Sequence, residues 1–231
     1  TGNIYVGTGN SFDDSFLEFP GYGIYVSTDN GETFTHLSAT EPQDKTSNTS
    51  SGWASVNRIA TDAAGTIYAA TGSGLQISTD DGATWTNPLS PNIATFSDVL
   101  VNGNGTVLAS ASNGPIYISK GGASGVWTQL NSNGLPLAGI SRVNLSASPQ
   151  NPNIMYALYT NAADACFHSV YKTTDGGDNW DKLLEKYGEF DPMTNSSYCQ
   201  GVYDATIHVS HVDPNTIYIG GVQIWRYDGN L

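Results

Sequence analysis

The chain has 231 residues, enough to bury a substantial core in one domain or two, and its 26 Gly, 10 Pro and 13 Tyr suit short strands and tight turns better than helices. Eight Lys and Arg against 21 Asp and Glu give a net charge of −13, a surface that repels phosphate backbones and anionic lipid and so argues against nucleic-acid and membrane-surface partners. No apolar run approaches the roughly 20 residues of a membrane span, and the chain opens on Thr1 without a signal peptide, as a mature or trimmed product would.

In chain order the strand signals fall into units that repeat. Residues 1–37 hold "NIYVGTG" (3–9), "YGIYVS" (22–27), the acidic turn "STDNGETF" (27–34) and a short strand ending near Leu37. Residues 54–90 hold "RIATDA" (58–63), "TIYAATG" (66–72), "GLQIS" (74–78), the turn "STDDGATW" (78–85) and a strand ending near Leu89. Residues 96–131 hold "DVLVNG" (98–103), "TVLASAS" (106–112) and "PIYIS" (115–119). Their turn, "SKGGASGVW" (119–127), keeps the Gly and Trp but has lost the Asp, and a last strand ends near Leu130. Residues 140–184 hold "RVNLSA" (142–147), "IMYALYT" (154–160), "HSVYKT" (168–173), the turn "TTDGGDNW" (173–180) and a strand ending near Leu183. Residues 202–231 hold "DATIHV" (204–209), "TIYIGG" (216–221), "VQIWR" (222–226) and the remnant turn "RYDGN" (226–230).

Successive turns lie roughly 40 to 55 residues apart, the span of a four-stranded propeller blade. The expected fold is all-β: a β-propeller of four-stranded antiparallel blades, here a partial propeller of three complete and two partial blades forming a single segment over 1–231. An immunoglobulin-like sandwich would not repeat itself in this way.

The acidic turns have a structural reading from their residue types alone. Asp29, Asp80 and Asp175 can each accept backbone N–H groups within their own turn. Gly31, Gly82 and Gly177 supply a positive φ, and Phe34, Trp85 and Trp180 can bury a large apolar face against a neighbouring sheet. The pattern Ser/Thr-x-Asp-x-Gly-x-x-Trp/Phe resembles the Asp-box, or BNR repeat, of sialidases, xyloglucan-degrading hydrolases, sortilin-type receptors and photosystem assembly factors. That resemblance implies a propeller whose boxes lie in the hairpins between third and fourth strands, on the face away from the ligand. It does not imply one activity, because these families share the box and differ in function.

The long segments are all of the two kinds that share the opposite face: 9–23, 38–53, 161–167 and 185–201. One elaborated face on a plain scaffold is how binding sites are built. Aligning the repeats puts Arg58, Asp98, Arg142 and Asp204 together at the starts of four successive innermost strands. They form either a belt of interblade ion pairs or a polar site in which the arginines hold an anionic or hydroxylated ligand and Asp204 acts as acid or base. The chain has three arginines and no Arg-Ile-Pro motif, which departs from the sialidase pattern.

The stretch "QGVYDATIHVSHVDPNTIYIGG" (200–221) resembles a segment of bacterial cell-surface proteins exported by the type IX route and, loosely, the blade starts of xyloglucan hydrolases, which would make Asp204 the catalytic carry-over. A glycosidase needs a second carboxylate roughly 5 to 10 Å away, and Asp98, Asp13, Asp14 and Asp191 are the candidates. Phe12, Phe16, Phe19, Tyr22, Trp53, Phe190 and Tyr198 either stack on a ligand or make small cores under their loops. No cofactor is expected. Calcium at Asp13, Asp14, Glu18 or Asp191 is a weak alternative, since "DDSFLE" lacks the ligand spacing of an EF-hand, and the histidines lack catalytic-zinc spacing.

Cys166 and Cys199 are compatible with one disulfide or with two buried thiols; both fall on the loop face, which favours the bridge and an oxidising compartment. The combined expectation is a secreted or outer-surface bacterial module that binds an extracellular protein or glycan within a larger propeller or parent chain. The alternative is a glycoside hydrolase using Asp204.

Overall fold

The computed structural model describes residues 2–9, 20–43, 52–89, 95–131, 134–186, 190–194 and 198–230. Phe12, Asp13, Asp14, Phe16, Glu18 and Phe19 lie outside the described residues.

Five antiparallel sheets follow one another along the chain as an arc of a propeller. Blade 1 contains β1 (Ile4–Gly7), β2 (Ile24–Ser27) and β3 (Thr35–His36); blade 2 contains β4 (Val56–Thr61), β5 (Ile67–Thr71) and β6 (Gly74–Ser78). Blade 3 is β7 (Phe96–Val101), β8 (Val107–Ala111), β9 (Ile116–Ser119) and β10 (Thr128–Gln129). Blade 4 is β11 (Ile140–Ala147), β12 (Met155–Asn161), β13 (Phe167–Thr173) and β14 (Asp181–Glu185); blade 5 is β15 (Thr206–Val209), β16 (Ile217–Gly220) and β17 (Ile224–Tyr227). The fourth strand of blade 2 is reduced to one bridge, Ile77 to Thr86. Pro88, two residues on, has no N–H with which to continue the ladder.

The acidic turns close the third-to-fourth strand hairpins by one repeated geometry. The Ser27 hydroxyl donates to Asp29 Oδ1 (2.7 Å) and accepts the Gly31 N–H (2.8 Å), while Asp29 takes the Thr33 N–H (2.9 Å) and hydroxyl (2.6 Å). Ser78, Asp80, Gly82 and Thr84 repeat these bonds, and Thr173, Asp175, Gly177 and Asn179 make the same set with an amide in place of the threonine hydroxyl. All three glycines have positive φ, 93°, 87° and 98°.

Those bonds stabilise the charged carboxylates. The Thr33 hydroxyl and N–H pull Asp29 down to about 2, and the Thr84 hydroxyl and N–H lower Asp80. At Asp175 burial pushes the carboxyl up, but the Asn179 N–H and amide outweigh it and hold the group at about 2. A folded pKa below the unfolded one contributes stability that is present above the ordinary carboxylate range and is lost as pH falls through the folded value. The melting temperature is therefore expected to drop between about pH 4 and pH 2, and the triple variant D29N/D80N/D175N is expected to flatten that slope in scanning calorimetry.

The blades pack face to face, each interface being one apolar cluster. Ile24 of blade 1 meets Val56 and Ala69 of blade 2; Tyr68 and Leu75 of blade 2 meet Phe96 and Val107 of blade 3. Leu108 and Ile118 meet Val143 and Trp180 across the next interface, and Leu158 and Val170 meet Ile207 and Ile219 across the last. Trp180, which follows its acidic turn, packs backwards against blade 3 and is 4% exposed, with Nε1 donating to the Gly177 carbonyl (3.2 Å). Phe34 holds the same position in blade 1 and is 43% exposed.

Candidate functional site

First strands begin, and second-to-third strand loops turn, on the face opposite the acidic turns. There the backbone joins neighbouring blades: the N–H groups of Gly21 and Gly23 donate to the carbonyls of Ala54 (2.7 Å) and Trp53 (3.0 Å), and Val56 N–H donates to Thr8 (3.0 Å).

Ladder register separates the four charged residues that the repeats align. Arg58 and Asp98 oppose Ala70 and Ser110, each the fourth residue of its second strand. Arg142 opposes Thr160, the sixth residue of β12, because the β11–β12 pair runs two rungs further toward the loops. In blade 5 the fourth rung belongs to Thr206, opposite Gly220, and Asp204 precedes the strand. The shared rung therefore holds Arg58, Asp98, Asn144 and Thr206, with Arg142 and Asp204 two residues nearer the loop face.

The charges reach forward from blade to blade. Arg58 Nε lies 3.5 Å from Asp98 Oδ1. Asp98 is 4% exposed and accepts the Val99 N–H on Oδ1 (2.8 Å) and the Leu145 N–H of blade 4 on Oδ2 (2.9 Å). Burial pushes its carboxyl up, against the charge of Arg58, the Leu145 N–H and the charge of Arg142. Arg142 donates to the Val202 carbonyl at the entry to blade 5 (2.8 Å); burial lowers its guanidinium, while Asp98 raises it, Arg58 lowers it and Asp204 raises it. Asp98 and Arg142 thus tie blades together. The Arg58 head group is different: its side chain is 61% exposed, and among the described residues it makes no hydrogen bond. Asp204 is half-buried, with its N–H on the Gln200 carbonyl (3.0 Å).

The loop aromatics divide in the same way. Trp53 packs edge-on against Trp85 (4.9 Å between rings), and Phe190 lies edge-on between Phe167 (5.0 Å) and Trp225 (5.1 Å), 7% exposed. Tyr22 stacks beside His36 (4.9 Å) and donates its hydroxyl to Glu41 (2.6 Å). Tyr198 stands 70% exposed next to Cys199. Phe16 lies outside the described residues.

Cys166 and Cys199 form a disulfide, with Cα atoms 4.8 Å apart, that joins the β12–β13 loop to the approach to blade 5. Gly201 N–H donates to Ala165 beside it (2.9 Å). Asp191 is buried against the bridge, accepting the Phe167 (3.1 Å) and Met193 (3.0 Å) N–H groups and pairing with Lys186 Nζ (3.1 Å). Although Cys166, Asp191 and Cys199 cluster within 4.8 Å, oxidised sulfurs offer no thiolate to a metal. His208 and His211 adjoin (5.2 Å between rings), and no third metal-ligating side chain joins them among the described residues.

Sequence reasoning does not single out Asn144. It is 8% exposed and its Oδ1 has no hydrogen-bond partner among the described residues. Counting rungs from the acidic turns, rather than aligning charges, would have found it on the Arg58 and Asp98 rung. On the opposite face, open clefts flank the degenerate blade 3 turn, one beside Asp62 and Ala123 and the other beside Val126 and Asp178.

The DUF6242 beta propeller domain family matches residues 18–229. No curated protein matches the chain. Among solved structures, the chain is similar to the GH74 xyloglucanase from Xanthomonas campestris, with 17% identity, 97% of this chain and 34% of that one covered, and a TM-score of 0.67. It is also similar to the extracellular domain of a hybrid two-component system from B. thetaiotaomicron (15% identity, 91% and 26% covered, TM-score 0.55). A third is YCF48 bound to D1 peptide (16% identity, 91% and 58% covered, TM-score 0.51). The chain spans about a third of the xyloglucanase, and at these identities the likeness shows the propeller fold.

Proposed function

We propose that this chain, which belongs to the DUF6242 beta propeller domain family, is a non-catalytic binding module of a secreted or outer-surface bacterial protein. Its loop face takes a glycan or protein ligand. Arg58 carries this reading: its guanidinium is exposed, positioned by buried Asp98 and free to offer hydrogen bonds to carboxylate or hydroxyl oxygens. Tyr198 adds an exposed aromatic surface of the kind that binding faces use. The acidic turns, read as Asp-boxes, spend their carboxylates within their own hairpins on the other face. The disulfide fits an oxidising, extracellular setting, as does the similar fold of an extracellular sensor domain.

Asp98 and Asp191 weigh against a hydrolase. Each is buried with its oxygens engaged by backbone N–H groups and a cation, so neither gives Asp204 an accessible partner carboxylate.

The test is a glycan array, with pull-down from extracellular material as its protein arm, followed by titration calorimetry on the hit. Tyr198→Ala is expected to weaken binding by roughly tenfold or more with unchanged melting temperature; Arg58→Ala is expected to weaken it as much and, by leaving buried Asp98 without its cation, to lower the melting temperature as well. Turnover of a β-glucan or sialoside by the wild type that Asp204→Ala abolishes would overturn the binding-only reading.

A further inference from the structure

The Cys166–Cys199 bridge is built against a third donor. The two Sγ atoms and a carboxylate oxygen of Asp191 all lie within 4.8 Å of one another. Asp191 is 6% exposed, and its two oxygens have separate tasks. Oδ1 accepts the Phe167 and Met193 N–H groups, which fix the carboxylate in place. Oδ2 is turned toward the sulfurs, 3.8 Å from Cys199 Sγ, and pairs with Lys186 Nζ at 3.1 Å, on a side chain 46% exposed. A buried carboxylate whose counter-ion reaches in from solvent can exchange that counter-ion for another cation and keep its own backbone bonds.

The three donors converge through bonds that do not involve the bridge. Asn161 N–H donates to the Cys166 carbonyl, Gly201 N–H to Ala165 and Gln200 N–H to Met193, each at 2.9 Å. Thr194 pairs with Cys199 in an isolated antiparallel bridge, and the Phe167 N–H ties Asp191 to the residue after Cys166. Opening the S–S bond therefore leaves two thiols and a carboxylate held together by backbone. Zn–S bonds of about 2.3 Å place two thiolates of a tetrahedral ion roughly 3.8 Å apart, inside the 4.8 Å span of this cluster.

We infer that the reduced chain carries a site for a thiophilic divalent metal ion such as zinc, with Cys166 Sγ, Cys199 Sγ and Asp191 Oδ2 as ligands and Lys186 as the cation that the metal displaces. A dithiol reductant opens the bridge, giving its two thiol hydrogens to Cys166 and Cys199 and leaving as its own disulfide. The ion then takes both thiolates, and two protons are released. Three protein ligands leave a fourth position for water. Two thiolates and a carboxylate exceed the charge of the ion by one, and Lys186 nearby offsets the excess. Disulfide and metal are thus alternative closures of one loop, and either holds Gly201 against Ala165 and the Val202 carbonyl on Arg142. The site stands apart from the ligand assigned to the loop face.

The natural full-length polypeptide, reduced with a trialkylphosphine so that no other thiol is present, would be titrated with Zn²⁺ against a chromophoric chelator and with Co²⁺ followed by its thiolate charge-transfer absorption. Reduced wild type is expected to bind zinc roughly 100-fold more tightly than the double variant C166S/C199S, and than its own oxidised form. Asp191→Asn, whose Oδ1 keeps both N–H bonds, is expected to lose roughly tenfold or more in affinity, its melting temperature in the oxidised form serving as the folding control. Lys186→Gln, at an exposed position, is expected to bind more tightly, because it removes the competing cation; capture by the two thiols alone would not respond to it. Hydrogen exchange at Gly201 and Tyr203, quickened by reduction, is expected to slow again when zinc is added. Equal affinities in reduced wild type and the double variant would overturn the site. Affinities unmoved in both Asp191→Asn and Lys186→Gln would overturn Asp191 as its third ligand.

Discussion

Asp98→Ala is expected to be the most damaging single substitution on the loop face, costing about 3–5 kcal/mol in urea denaturation. The carboxylate is buried at the blade 3–blade 4 interface and does three things at once: it accepts Val99 N–H, accepts Leu145 N–H from the neighbouring blade, and faces Arg58 at 3.5 Å. Alanine leaves two buried donors without an acceptor, each costing about 1–3 kcal/mol, and removes the anion that pairs with Arg58 and favours the charged form of Arg142. Asp98→Asn, which keeps one acceptor oxygen and adds donors where donors already point, is expected to fall between wild type and alanine. If Asp98→Ala instead lies within about 0.5 kcal/mol of wild type, the carboxylate is not the interblade tie that its geometry describes. Because burial raises the Asp98 pKa, its charge is held at a cost that the two N–H bonds and Arg58 offset.

Removing the disulfide with the double variant C166S/C199S is expected to lower stability by about 3–4 kcal/mol, the loop-closure entropy for a span of this size, given a sequence separation of 33. The damage should be local in its pattern. The bridge holds Gly201 against Ala165, and the following turn presents the Val202 carbonyl to Arg142. Hydrogen exchange should therefore quicken at Gly201, Tyr203 and Asp204 while β4 to β9 keep their protection. A reducing agent should reproduce the loss in the wild type and leave the double variant unchanged. Wild type that melts identically with and without reductant would show that the bridge contributes nothing to the stability of this segment.

The blade repeat and the acidic turns were readable from the chain because their causes are local. Ser27, Asp29, Gly31 and Thr33 satisfy one another within seven residues, so the same short pattern closes the same hairpin wherever it recurs. Period-2 alternation and turn residues then place the strands between them, and the topology follows, including the loop face that brings Cys166 within reach of Cys199.

Residues that act across blades were not readable in this way. Asp98 finds Leu145 at a separation of 47, and Arg142 finds Val202 at 60, so neither partner is set by the turn chemistry of either blade. Two extra rungs in β11–β12 put Arg142 off the row of Arg58 and Asp98, and Asp204 falls off it by preceding β15, where Thr206 holds the shared rung, displacements that aligning residue types conceals. The fates of Trp53, partly buried against Trp85, and Tyr198, left at 70% exposure, likewise depend on neighbours far away in sequence.

The sequence by itself determined the all-β class, the blade length, the position of the hairpins and the two faces of the arc, because hydrogen bonds within a few residues decide them. Only the tertiary structure decided which charges are consumed between blades and which aromatics remain at the surface. Those outcomes depend on burial against a neighbouring sheet, and no local pattern of residues encodes what lies on the other side.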